Sequence, residues 1–125
     1  MTTKPNLLFI CSDQQRTDTI GAYGNDWIET PALNELSSRS FVFENAYVTQ
    51  PVCSPARSTM MTGLYPHSAG VVRNSKPGRP FSNLFPEVKT IAEMVDDEYV
   101  CAKYGKWHLG DDLSPQHGFT EWIST

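Results

Sequence analysis

Long hydrophobic runs are missing from these 125 residues. The longest, Leu7 to Cys11, is far below the roughly 20 apolar residues of a membrane-spanning helix, so no membrane span is expected. A secretory leader is missing too. Lys4 runs straight into Pro5 and a short apolar segment, with no small-residue cleavage site behind it. The expectation is a cytoplasmic protein with no membrane partner. Positive charge is in short supply: 10 Lys and Arg stand against 14 Asp and Glu, for a net charge of −4. A nucleic-acid partner, which calls for a basic surface, is therefore not expected. The three cysteines, at 11, 53 and 101, form no Cys-x-x-Cys, so neither a zinc knuckle nor a thioredoxin-type pair is indicated. No internal repeat, low-complexity tract or interdomain linker occurs. What remains is 39% hydrophobic residues and charges of both signs in a chain of one domain's length, the composition of a soluble globular core.

The chain is organised around Cys53-Ser54-Pro55-Ala56-Arg57. Ser54 suits a helix N-cap and Pro55 the first helical position, where its missing N–H costs nothing. Met60, Met61 and Leu64 then offer an apolar stripe, and Gly63 stands where a left-handed C-cap is wanted. Cys53 is thus expected just before a helix N-terminus, whose unpaired N–H groups and dipole attract anions. Arg57, one turn in, adds a fixed positive charge. Taken alone, Cys53 reads better as a half-buried thiol beside an ordinary cap.

Around this centre the pattern alternates strand and helix. Leu7-Leu8-Phe9-Ile10-Cys11 has the look of a buried parallel strand, and its carboxyl end delivers Asp13 and Gln14. Ligands gather at such strand ends, so Asp13 is either a metal ligand or a turn cap. Residues 17–27 read as irregular. Thr30-Pro31 starts a short helix with Leu33 and Leu36 on one face, and Phe41-Val42-Phe43 follows as a strand. Residues 65–89 hold four prolines and two glycines; a connection so long and so rich in breakers is a candidate for shaping a binding pocket. Thr90 and Glu93 have capping-box spacing, with Ile91, Met94 and Val95 as the buried face of a short helix. Val100 to Tyr104 is a second core strand. Cys11 and Cys101, both in apolar runs, read as core thiols. If Lys106-Trp107-His108 stays extended, Lys106 and His108 share one side and Trp107 takes the other. Such a pair is either a solvated face or two cationic groups facing one site. The alternation as a whole predicts an α/β fold with a mostly parallel sheet.

Cys53-x-Pro55-x-Arg57 followed by Met61-Thr62-Gly63 resembles the signature of the type I sulfatases. Pro5 to Ile10 leading into Asp13, Asn45-Ala46-Tyr47, Gly63-Leu64-Tyr65-Pro66-His67, Gly105 to Gly110, and His117-Gly118-Phe119 match that family in order. The resemblance implies an alkaline-phosphatase-like three-layer sandwich, of which this is the N-terminal part. It implies a sulfuric ester hydrolase in which Cys53 is oxidised to Cα-formylglycine by a maturation enzyme, acting on a small-molecule or carbohydrate sulfate ester. The hydrated aldehyde presents two hydroxyls, one to attack sulfur and one to expel sulfate, which a thiol lacks. By the same resemblance Asp13, Gln14 and the modified Cys53 hold a divalent cation, calcium. Arg57 steadies that cluster, Lys106 contacts the sulfate or the nucleophile, and His108 orients the hydroxyls and assists their proton movements.

Two departures temper the match. Many sulfatases place a second Asp after the first, whereas Gln14 follows Asp13 here. An Asp-Gln pair also resembles relatives that act on choline sulfate, phosphonate monoesters or phosphodiesters. Family members also run several times longer, so the chain reads as residues 1–125 of a larger catalytic domain. A phosphonate or phosphodiester hydrolase, or a non-catalytic remnant that binds anions at most, are the alternatives.

Overall fold

The computed structural model describes residues 4–124 and divides them into two compact units, residues 4–46 and 47–124. The first unit holds two 3-10 turns, Thr17–Thr19 and Gly21–Tyr23, and helix α1, Pro31–Ser38. Residues 17–27, expected to be irregular, are ordered by these turns. Thr30 is the N-cap of α1 and Pro31 its first residue, as the sequence predicts. The Thr30 hydroxyl accepts from Gly21 N–H at 2.9 Å, which fastens the second 3-10 turn to the helix start. No described residue of this unit is buried.

The strands expected here do not form. Leu7, Leu8, Phe9 and Ile10 are 67%, 85%, 60% and 80% exposed, and Cys11 is an exposed thiol rather than a core one. Phe41 and Phe43 are exposed as well, their rings meeting edge to face at 4.9 Å. The reason is pairing. A parallel strand needs neighbours to take its N–H and C=O groups, and the ladder found among the described residues lies in the other unit.

That second unit contains α2 (Cys53–Thr62), α3 (Ile91–Met94), β1 (Ala102–Tyr104) and β2 (Glu121–Ile123). The strands pair in parallel, Ala102 with Glu121, Lys103 with Trp122 and Tyr104 with Ile123. The predicted core strand is thus shorter than Val100–Tyr104 and only half covered, with Val100 74% exposed. Helix α2 starts two residues earlier than Ser54 and Pro55 suggested: Val52 is the N-cap and Cys53 the first helical residue. Gly63 closes it in the left-handed conformation (φ 71°), as expected. In α3 both halves of the Thr90–Glu93 capping box are formed, yet Ile91 and Met94 face solvent instead of a core.

The core is built mostly from residues brought in by loops. Met61, Ala69, Val71, Leu84, Trp107 and Leu109 are buried together, with Val88, Phe119 and Trp122 against them. Trp107 is its centre, packed edge to face on Trp122 at 5.2 Å and Phe119 at 5.9 Å. Backbone bonds stitch the loops around it: Leu84 N–H to Leu109 O at 2.8 Å, and Phe85 N–H to Ala69 O at 3.2 Å. Among the described residues no helix is long and apolar enough to cross a membrane.

Candidate functional site

Cys53 opens α2 and is half-buried. Val52 offers no side-chain cap, so the first turn finds its partners elsewhere. Asn74, from the long loop, supplies one: its Oδ1 accepts from Ser54 N–H at 3.1 Å. Ser75 N–H in turn donates to the Ser54 hydroxyl at 2.9 Å. Pro55 sits buried at the third helical position, inside the first turn, where no intrahelical donor is needed. The helix therefore begins at Cys53 because a loop twenty residues on caps it.

Arg57 lies one turn along on the face of Cys53. Its Nη1 donates to the backbone carbonyl of Lys106 at 2.7 Å. This charge-assisted bond joins the helix that carries Cys53 to the segment that carries Lys106 and His108. Lys106 is half-buried and Trp107 is 1% exposed. The segment is not uniformly extended. His108 takes a left-handed conformation (φ 60°), uncommon for a side chain of this size. Asp112 holds it there: Asp112 Oδ1 accepts from His108 N–H at 3.0 Å, and Asp112 O accepts from Trp122 Nε1 at 2.9 Å. His108 Nδ1 is buried without a hydrogen-bond partner among the described residues, as is Trp107 Nε1. An orphaned buried ring nitrogen costs about 1–3 kcal/mol, so the His108 nitrogen is an atom waiting for a partner.

Asp13 and Gln14 belong to the first unit, on an exposed bend where Gln14 is left-handed (φ 59°). Just beyond them Arg16 donates to Asp18 at 2.8 Å, and that hydrogen bond holds the Asp18 carboxyl below its usual range. Calcium takes six to eight oxygens. Among the described residues no three His, Cys, Asp or Glu side chains are grouped to hold a metal. Asp13 and Gln14 offer two oxygen-bearing side chains to such an ion; these donors do not make a calcium site by themselves.

Two residues that position the site escaped the sequence reading. Asn74 lies inside the loop expected to matter, but nothing in its neighbourhood marks it as a cap for a distant helix. Asp112 had a faint signal: an Asp four residues after His108, past Gly110, is placed to turn its carboxylate back on a backbone N–H.

A family model described as Sulfatase matches residues 5–125. An ulvan-active sulfatase of Formosa agariphila is 37% identical over 108 residues, covering 86% of this chain and 20% of that protein. Human N-acetylgalactosamine-6-sulfatase is 31% identical over 135 aligned positions, covering 97% of this chain and 25% of that protein. The solved structure of a YidJ sulfatase from Bacteroides fragilis is 33% identical and matches with a TM-score of 0.83. It covers 96% of this chain and 31% of the other, and supports the α/β, alkaline-phosphatase-like assignment. The chain thus spans about a fifth to a quarter of the length of the curated relatives it matches.

Proposed function

Because the chain belongs to the sulfatase family, we propose that it carries the nucleophile-bearing part of a sulfuric ester hydrolase. Cys53 is the residue matured to Cα-formylglycine by a formylglycine-generating enzyme, and a divalent cation, calcium, completes the centre with donors beyond Asp13 and Gln14. The substrate is a sulfate ester of a small molecule or carbohydrate. The observation that carries this reading is the 2.7 Å bond from Arg57 Nη1 to Lys106 O, which places Cys53, Arg57, Lys106 and His108 on two segments fastened to each other.

Each of these residues has work suited to its chemistry. The oxidised, hydrated Cys53 side chain supplies two hydroxyls on one carbon. Arg57 holds the Lys106 segment to the helix and keeps a permanent positive charge one turn from residue 53. The Lys106 ammonium binds the sulfate oxygens, where charge stabilisation contributes most to the rate. His108 Nδ1, buried and unpartnered, takes a hydrogen bond from a hydroxyl at residue 53 and holds its proton as the ester is cleaved. Asp112 and Trp107 fix the His108 backbone and the core beneath it.

Co-expression with the maturation enzyme followed by peptide mass spectrometry tests the reading. Cys53 converts to the aldehyde while Cys11 and Cys101 stay thiols. Thiol mass alone at Cys53 counts against it. A second reading has one observation in its favour: Gln14, not Asp, follows Asp13, as in relatives that cleave phosphonate monoesters or phosphodiesters. Parallel assays of an aryl sulfate and a phosphonate monoester on an active polypeptide containing these residues decide between them.

A further inference from the structure

Acidic residues are absent between Glu44 and Glu87, yet Arg57, Arg73, Lys76 and Arg79 all fall in that interval of a chain whose net charge is −4. Three of these four cations sit on one exposed loop, residues 72–83. Among the described residues none of the three enters an ion pair with a carboxylate, unlike Arg16, which pairs with Asp18, and Arg39, which pairs with Glu35. The loop is a built object. Val72 N–H donates to Phe81 O at 3.0 Å and Arg79 N–H to Lys76 O at 3.1 Å. Ser75 Oγ donates to Asn83 Oδ1, and Ser82 Oγ to Arg79 O, both at 2.7 Å. It is also fastened next to Cys53, through Asn74 and Ser75 to Ser54.

We infer that residues 72–83 form a subsite for a sulfated oligosaccharide, in which Arg73, Lys76 and Arg79 bind anionic groups flanking the ester presented to Cys53. This rests on the reading of Cys53 as the reacting centre. A substrate with a single sulfate would meet its counter-charges at Arg57 and Lys106. Three more cations without acidic partners match a substrate carrying several anions, and the positive field of such a loop draws it in. Phe81, 60% exposed on the same loop and left-handed (φ 52°), offers a flat apolar face for the C–H side of a sugar ring.

The test is calorimetric titration of the whole chain carrying Cys53→Ala, so that binding is read apart from chemistry. The probes are a heparin-derived sulfated hexasaccharide, neutral maltohexaose and a single-stranded hexanucleotide. The sulfated hexasaccharide binds, with affinity falling as salt rises. Arg73→Ser, Lys76→Ser and Arg79→Ser combined weaken it about tenfold or more, while Arg73→Lys with Arg79→Lys keeps most of it. No binding by the native loop, equal affinity in the triple variant, or equal binding of maltohexaose or the hexanucleotide overturns the inference. A failure to find formylglycine at Cys53 leaves these titrations readable, so the two proposals fall separately.

Discussion

Arg57→Ala is the perturbation that reaches furthest into the site. It deletes the donor to Lys106 O and leaves that carbonyl without the bond that ties α2 to the Lys106–His108 segment. A hydrogen bond with a charged donor contributes about 1.5–3 kcal/mol. Arg57 is half-buried, so water replaces part of what is lost and about 2 kcal/mol is expected. With a urea dependence of about 2 kcal/mol per molar, the unfolding midpoint falls by about 1 M. Trp107, which follows Lys106 in the core, and Trp122 packed on it report the transition together, while Trp27 is 78% exposed and contributes little change. Arg57→Lys keeps the charge without the planar fork and recovers only part of the loss. In nuclear magnetic resonance spectra the amides of Lys106 and His108 shift while those of α1 do not. An unchanged midpoint together with unmoved Lys106 and His108 amides would refute the claim that this bond joins the two segments.

Further outcomes are expected elsewhere. Gly118→Ala places a Cβ 2.9 Å from the backbone of Ala92 and Glu93 at φ 83°, whereas Gly78→Ala meets nothing within 4 Å at φ 72°. Both bear the left-handed cost of roughly 1–2 kcal/mol, and thermal melts should show the Gly118 variant losing clearly more. Thr90→Ala removes the acceptor for Ala92 N–H and the donor to His117 O, for a loss of about 1–2 kcal/mol that Thr90→Ser largely restores in the same melts. Tyr104 donates to Glu121 Oε2 at 2.8 Å, and this bond raises its ionisation above the usual tyrosine range. The protonated phenol is the favoured form, so its contribution is intact below that range and lost as pH rises through the raised value; Glu121→Gln lowers the value in a phenolate titration. The 125 residues alone, with Cys53 matured and calcium added, are expected not to cleave an aryl sulfate faster than their Cys53→Ala variant, because no three His, Cys, Asp or Glu side chains are grouped among the described residues and Asp13 and Gln14 fall short of the oxygens calcium takes.

What the sequence disclosed, and what it withheld, follows the range of the interactions involved. The capping box at Thr90 and Glu93, the left-handed stop at Gly63 and the start of α1 at Thr30-Pro31 each depend on neighbours within four residues, and each is formed. The start of α2 was misplaced by two residues because its cap acceptor, Asn74, is twenty residues away. Whether Lys106-Trp107-His108 stays extended is open in the sequence, because the left-handed turn at His108 is held by the Asp112 carboxylate four residues on. The strands at Leu7–Cys11 and Phe41–Phe43 were read from apolar pattern alone. Pattern states that a run wants burial, but only partner strands provide it, and these residues remain exposed. The same limit explains Ile91 and Met94, whose helical spacing was right and whose expected cover is absent among the described residues.

The distribution of burial also separates the chemistry into two kinds of support. Every described buried residue lies between Ser54 and Leu109, and Cys53, Arg57, Lys106 and His108 border that core or interrupt it. Met61 follows Arg57 by one helical turn, and Trp107 stands between Lys106 and His108. Packing that fixes Trp107 therefore limits where its two neighbours can go, before any substrate or metal is present. Asp13 and Gln14 have no such foundation, since their unit contains no buried described residue. A charged carboxylate held on an exposed bend gains order from the cation it binds, whereas a cationic site for sulfate must be ordered beforehand to lower the barrier. Cys53, Arg57, Lys106 and His108 thus belong to the self-packed part of the chain, and Asp13 and Gln14 to a unit without a buried described residue.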